Sequence, residues 1–533
     1  MATEACQRLQ FYPFAYALAT EELANYCWYC LAPVKDKARC TGCQCAVYCN
    51  KQCHQLGWKD HKAECTAISR AGEIPDIETR VLGRIVVRHK DILKKKDKKI
   101  ENFYKDRKSE RSIMQIWAHT EEIKKDKRAM DKFEDIYNNL SSFYENKHML
   151  PKDVVFELHC RNYINRHAIS DRAYVKEIGK GLYLDLCAYD HSCSPNTIYT
   201  CNGFVATLRS LNGSNNIKNR ETTFYSYIDL LNSQPERLKQ LKDTWYFECK
   251  CTRCIDPGDH VLTGLKCPNC PANDPTSLCI FGTHAYKNKL TAVITCPKCK
   301  KDMQRDYVFE GINTMKFINK VFNDREIEQM PSKTRVEFLE DLLDRATKIL
   351  PNVNVYLCNI VQHLIPLVDV NNHKELLRLH LISEDCVRQC YPKNHPGIAF
   401  HLRSIGLFYS GLKDYPSAIK YIQEAIDILN FTLDADHPMT VETEEILKET
   451  IAASQQDPTE VFAPRHDAPA QQPAQPELLG EKKTSASESE EANEMDAKIS
   501  TPAEQKDDYA KNKSTESSDL FSEDVDDLPE LVA

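Results

Sequence analysis

No part of this 533-residue chain comes near twenty consecutive apolar residues, which excludes a membrane-spanning helix. A signal peptide is missing too. The stretch from Phe11 to Ala19 is apolar, but it is short, with no basic segment before it and no clean cleavage site after it. Without an export signal, the 24 cysteines belong in a reducing compartment, nucleus or cytoplasm. Aromatic residues nearly vanish after Gln455, where Pro, Gln, Ser and Glu dominate, so residues 454–533 are expected to form a disordered tail. Between Gln455 and Ala533 there are 20 Asp/Glu against 7 Lys/Arg, a net of −13 within a total of −8. The remainder therefore carries +5, which permits contact with nucleic acid or an acidic partner without requiring it.

What is present points to several domains. The composition is globular, 42% hydrophobic and 28% charged, and the length calls for three or four domains. Eight metal-ligand residues fall between positions 27 and 65: Cys27, Cys30, Cys40, Cys43, Cys49, Cys53, His61 and Cys65. Their spacing is C-x2-C-x9-C-x2-C-x5-C-x3-C-x7-H-x3-C, enough for two closed tetrahedral zinc sites. Closed sites fold a module and do no chemistry. A disulfide cluster is the alternative, and the knuckle spacing, the ligand histidine and a reducing compartment all argue against it.

Two Cys-Pro-x-Cys knuckles, Cys267 with Cys270 and Cys296 with Cys299, read as a zinc ribbon with Cys279 as a spectator. A structural staple is the expected role. Nucleic-acid binding is the lesser alternative, because only Lys287, Lys289, Lys298, Lys300 and Lys301 supply charge. A third group, Cys249, Cys251 and Cys254, is one ligand short of a closed site.

Residues 66–150 read as helical, with Ile100, Phe103, Ile113, Ile116 and Trp117 recurring at helical spacing. The basic run from Arg88 to Arg111 is interspersed with acids and reads as a solvated helix face. Between 150 and 260, strand-like pieces alternate with turn residues, which predicts a small irregular β domain. Residues 305–453 are helical again. Gly406, Tyr409, Ala418 and Ala425 there fall at tetratricopeptide-like spacing.

The segment Asp190-His191-Ser192-Cys193-Ser194-Pro195-Asn196 resembles the Asn-His-Ser-Cys-x-Pro-Asn motif of SET domains. Tyr225-Ser226-Tyr227-Ile228-Asp229 resembles the tyrosine-ended strand of that domain, and Phe247 to Cys254 resembles a post-SET motif. The first cysteine string, with Gln55, Trp58, Lys59, His61 and Lys62, resembles a MYND finger. Together these look like the SET-and-MYND family of protein-lysine methyltransferases, over roughly residues 11 to 453.

The resemblance implies an α+β multidomain fold, with a MYND zinc finger inserted in an irregular β SET domain. The expected boundaries are 1–26 for the N-terminal SET part, 27–65 for the finger, 66–150 for a helical insert and 151–247 for the SET core. The post-SET and ribbon-like region follows over 248–304, then a helical tetratricopeptide-like domain over 305–453. Interleaved zinc sites are implied, one of Cys27, Cys30, Cys49 and Cys53, the other of Cys40, Cys43, His61 and Cys65, with Cys45 a free thiol. Cys193 becomes the fourth post-SET ligand.

The implied reaction is methyl transfer from S-adenosyl-L-methionine to a lysine of a histone or another protein. Tyr227 is the implied catalytic tyrosine and also a cofactor contact, with Asn165, Asp190, His191 and Phe247 on the cofactor and Trp245 a second channel aromatic. A proline-rich peptide partner at the finger and a monomeric state are also expected.

The chain departs from the family in three places. It begins about where a strand carrying a Gly-x-Gly turn should have ended, which is expected to thin the cofactor pocket and expose a sheet edge. Asp190 stands where the family has Asn, and an ionised carboxylate accepts hydrogen bonds but donates none. The acidic approach to the catalytic tyrosine is degraded to Asn219-Arg220-Glu221-Thr222-Thr223. A catalytically impaired adaptor, working through its finger and helical repeats, is therefore the second reading.

Overall fold

The computed structural model describes residues 7–35, 37–94, 109–174, 176–213, 216–271, 274–281, 293–324, 326–456 and 529–532. Strands β1 (Arg8–Phe11) and β2 (Ala15–Leu18) open the described chain. The finger follows with the hairpin β3 (Ala38–Cys40) and β4 (Val47–Tyr48) and helix α1 (Lys51–Ala71). Asn50 starts α1 by accepting the Cys53 N–H, and Gly72 ends it at φ 72°, a conformation that favours glycine. Helix α2 (Ile77–Leu93) is capped by Asp76, whose carboxylate accepts the N–H groups of Glu78 and Thr79.

Short α3 (Thr120–Lys125), α4 (Lys127–Phe143) and α5 (Lys152–Asn165) precede the β domain. That domain contains β5 (Arg166–Ser170), β6 (Glu177–Leu182), β7 (Asp190–His191), β8 (Thr197–Asn202), β9 (Val205–Ser210) and β10 (Phe224–Tyr225). Then come α6 (Gln234–Trp245), α7 (Thr252–Ile255), α8 (Arg305–Asn323), α9 (Ser332–Thr347) and α10 (Val355–Leu364). Helices α11 (His373–Cys390), α12 (Pro396–Gly411), α13 (Tyr415–Thr432) and α14 (Pro438–Gln456) pack successively against one another. Strand β11 (Leu531–Val532) is the last element.

The strands form small sheets. β1-β9-β8 and β2-β6-β5 are antiparallel, β7 and β10 pair in parallel, and β11-β3-β4 completes the finger. One apolar core joins the N-terminal strands, the finger, α2, α4 and the β domain, and a second fills the ribbon and the C-terminal helices. Gly406 explains why small residues recur in those helices. A Cβ there would lie 2.5 Å from Ile422, so only glycine lets α12 and α13 approach closely.

β2 is buried along its whole length but, among the described residues, pairs only with β6. Its other edge is met by arginines of α2 rather than left open. Arg80, Arg84 and Arg88 donate to the carbonyls of Leu18, Tyr16 and Phe14 at 3.1, 2.7 and 2.8 Å. The four-residue helical spacing matches alternate residues of the strand, so one helix face reads one strand edge. Glu64 neutralises the pair below it, accepting from Arg80 at 2.7 Å and from Arg84 at 2.5 Å. The guanidinium groups also lie over the rings of Trp28, Tyr16 and Phe14. The exposed edge expected from the sequence is thus corrected for β2.

Three further expectations change. Residues 109–119 are an irregular segment with a single 3₁₀ turn, and Trp117 is 71% exposed instead of packed on a helix. The polar, turn-rich composition there gives way to tertiary contacts, with Asp185 accepting the N–H groups of Glu110 and Arg111. Ile100, Phe103 and most of the basic run lie outside the described residues. The tail expected to be disordered over 454–533 loses both ends: α14 continues through Gln456, and residues 531–532 form β11, because a sheet edge was available to pair with. The tail between them lies outside the described residues.

Candidate functional site

Four ligand sets close on themselves: Cys27, Cys30, Cys49 and Cys53; Cys40, Cys43, His61 and Cys65; Cys193, Cys249, Cys251 and Cys254; Cys267, Cys270, Cys296 and Cys299. Within each set the ligand atoms lie within 4.8 Å of one another. Zinc bonded to sulfur at about 2.3 Å in a tetrahedron sets sulfurs about 3.8 Å apart. The pairs Cys30–Cys49, Cys40–Cys65, Cys193–Cys254, Cys267–Cys299 and Cys270–Cys296 stand at 3.5, 3.7, 3.5, 3.6 and 3.8 Å. The donor chemistry and spacing fit zinc with no open position, which makes all four sites structural. Cys45 and Cys279 fall outside the sets. His61 and Cys65, four apart on α1, face the same metal, and Glu64 stands 3.7 Å from the other nitrogen of His61.

The third set lies beside a cavity. His191 accepts the backbone N–H of Tyr227 at its Nδ1 (3.0 Å), and its Nε2 lies 3.2 Å from Cys193 Sγ. One imidazole therefore ties the zinc site to Tyr227. Around it the chain crosses itself: β7 and β10 pair Tyr225 with His191, and the Asn196 side chain accepts the Phe224 N–H and donates to the Thr222 carbonyl. Arg253 clamps this crossing to the helices, donating to the carbonyls of Cys193 and Cys390 at 3.2 and 2.9 Å.

Asn165, Asp190, His191, Tyr227 and Phe247 all line one cavity of about 440 Å³, together with Trp245. The Tyr227 hydroxyl donates to the Tyr189 carbonyl at 2.8 Å. The Trp245 ring lies 5.6 Å from Tyr227, held by its N–H on the Ile164 carbonyl. The Asn165 amide nitrogen donates to the carbonyls of Trp117 and Arg161, leaving its oxygen to accept. Burial pushes the Tyr227 phenol up and the Asp190 charge adds to it; burial does the same to Tyr225 and lowers His167 to about 4. At neutral pH both phenols keep their protons and His167 is uncharged.

The sequence reading missed Trp117, His167, Tyr199 and Tyr225 as cavity residues. His167 stands two positions from Asn165, and Tyr225 is two before Tyr227, so strand periodicity could have found both. Nothing local marked Trp117 or Tyr199. A second cavity of about 320 Å³ shares the wall of Tyr199, Tyr225, Ser226 and Tyr227, and it opens towards Asp229, Tyr391 and His395. Tyr391 reaches across from the end of α11 to donate to Asp229 at 2.9 Å.

Known proteins share these features. The MYND finger family matches residues 27–65. Over 444 residues the chain is 23% identical to the N-lysine methyltransferase SMYD2-A of Danio rerio, across 82% of this chain and 91% of that protein. These matches are to the SET-and-MYND family, which the chain resembles over about four fifths of its length. Within it, the N-lysine methyltransferase SMYD2 of Homo sapiens is 23% identical over 433 residues, covering 80% of this chain and 88% of that protein. The histone-lysine N-methyltransferase SMYD3 of Mus musculus is 24% identical over 432 residues, with the same coverages. The family carries protein-lysine methyltransferases.

Proposed function

We propose that this chain is a protein-lysine N-methyltransferase that uses S-adenosyl-L-methionine. The observation that carries the reading is Tyr227, which stands in the wall between two cavities with its backbone and hydroxyl both fixed. The larger cavity falls in the range of small-molecule sites. Asn165, Asp190, His191 and Phe247 would hold the cofactor there. When bound, S-adenosyl-L-methionine supplies a methyl group on a positively charged sulfur.

The remaining work falls to the chain. A lysine amine has an ordinary pKa of about 10.4 and must lose its proton before it can attack. Tyr199, Tyr225, Tyr227 and Trp245 make an aromatic wall that excludes water and favours the neutral amine. Tyr227 stays protonated, so its hydroxyl oxygen keeps a lone pair to orient an amine N–H. His191 spends both ring nitrogens on Tyr227 and Cys193, so besides lining the cofactor cavity it positions Tyr227. The Asp229 side leads towards the helices and would admit the protein substrate. The reading takes a protein lysine, in nucleus or cytoplasm, as the acceptor.

Asp190 favours the second reading, an adaptor, because its carboxylate cannot donate a hydrogen bond to a cofactor. Calorimetric titration of S-adenosyl-L-methionine into zinc-loaded protein separates the two. Micromolar binding, with methylation lost in Tyr227→Phe and the fold kept, supports the enzyme. Absence of heat from folded protein leaves the adaptor.

A further inference from the structure

β3 pairs with β4 along one edge only, and its other edge would present unpaired N–H and C=O groups, a template for any extended peptide. In this molecule that edge is taken by the chain's own C-terminus. Leu531 stands opposite Cys40 and Val532 opposite Arg39, antiparallel, and the Thr41 N–H donates to the Glu530 carbonyl at 2.7 Å. Pro529 has no N–H to contribute, so the ladder stops before it. Strand alternation sends Pro529 and Leu531 to one face and Glu530 to the other. Leu531 packs on the finger's apolar core, while Glu530 is exposed.

The finger is shaped for this contact. A Cβ at Gly42 would lie 2.8 Å from Cys65 Sγ and 3.1 Å from the Pro529 ring, so glycine there spares the metal ligand and leaves room for the proline. Ser69 of α1 holds that loop from behind, donating to the Gly42 carbonyl at 2.6 Å.

Taking the outer edge of β3 as the seat of the proline-rich peptide expected at the finger, we infer that Pro529-Glu530-Leu531-Val532 occupies it in cis and that this contact closes the finger to partners in trans. Strand addition gives affinity through main-chain bonds and specificity through alternate side chains. A competing partner must therefore offer an extended segment with a proline and, two residues on, an aliphatic side chain. A covalently tethered ligand has a high effective concentration, so the edge is silent to weak peptides until the tail is displaced or removed.

The test uses three zinc-loaded proteins: the full chain, the chain ending at Leu528, and full-length Leu531→Asp. The probe is a fluorescein-labelled peptide with the sequence of residues 526–533. The peptide is expected to bind the two altered proteins at least about tenfold more tightly than the full chain. Hydrogen exchange at the Thr41 amide should speed up in the shortened protein and slow again when the peptide saturates it. Equal peptide affinity for all three, with Thr41 exchange unchanged by the truncation, overturns the proposal. Thr41 protection that fades on dilution, together with a dimer by light scattering, overturns the cis assignment, because the strand then comes from a second copy.

Discussion

The free edge of β2 meets three arginine side chains of α2, whereas the edge of β3 meets backbone from the far end of the chain. Both solve the same problem, an unpaired strand edge. The first solution is buried and charge-compensated: Arg80 and Glu64 are completely shielded from water, and burial of the carboxyl is outweighed by both arginines, which hold it well below the usual carboxylate range. Such a network is costly to break, because removing one member leaves the others buried and unpaired. The second solution rests on a few main-chain bonds and two half-buried side chains, so it can open without unfolding the body. One cover is permanent and the other is exchangeable.

The largest effect that would separate them is Glu64→Gln. It leaves Arg80 and Arg84 without their carboxylate and is expected to cost about 3–5 kcal/mol in denaturant unfolding. A loss below about 1 kcal/mol would mean that water or other groups compensate the arginines, and the contrast with β3 would weaken. Next comes Arg88→Met, which keeps the packed stem but leaves the Phe14 carbonyl without its guanidinium donor; about 1–3 kcal/mol is expected in the same assay.

Acid sharpens the comparison further. Glu78, also on α2, bonds Arg166 of β5 at 2.9 Å and Lys180 of β6 at 2.8 Å. Burial raises its pKa, but the two cations outweigh burial and the net direction is down. Its contribution is therefore complete above the ordinary glutamate value of about 4.3 and is lost as pH falls through the lower folded value. The stability gap between the wild type and Glu78→Gln should be constant from pH 6 to 8 and should shrink below about pH 4.3. A gap that grew on acidification would reverse the assignment. The smallest effect belongs to β11: Leu531→Asp is expected to change global stability by about 0.5 kcal/mol or less, even though it frees the Thr41 amide. A loss as large as that of Glu64→Gln would make the tail part of the core rather than a removable cover.

The metal ligands other than Cys193 were legible because knuckle spacing, one to three residues between ligands, is set within about one turn and survives any arrangement of the rest; Cys193, distant from Cys249 in the chain, was legible only through the family resemblance. Tyr227, His191 and Asn165 were legible through the motifs around them, and the fold brings them to one cavity. Trp117 was misread because an isolated apolar residue near helical spacing looks the same whether it faces a core or a cavity mouth. Acidic composition hid the last residues of the tail, since four residues with one leucine and one valine carry too little pattern to mark a strand.

By itself, then, the sequence determined the paired zinc ligands, the position of the Tyr227 motif and the presence of two helical regions, because each depends on residues close together in the chain. The tertiary structure alone decided what covers β2 and β3, which aromatics wall the cavity, and that His191 serves Tyr227. Each of these joins residues tens to hundreds of positions apart, and such pairings follow from how the elements pack rather than from any local pattern.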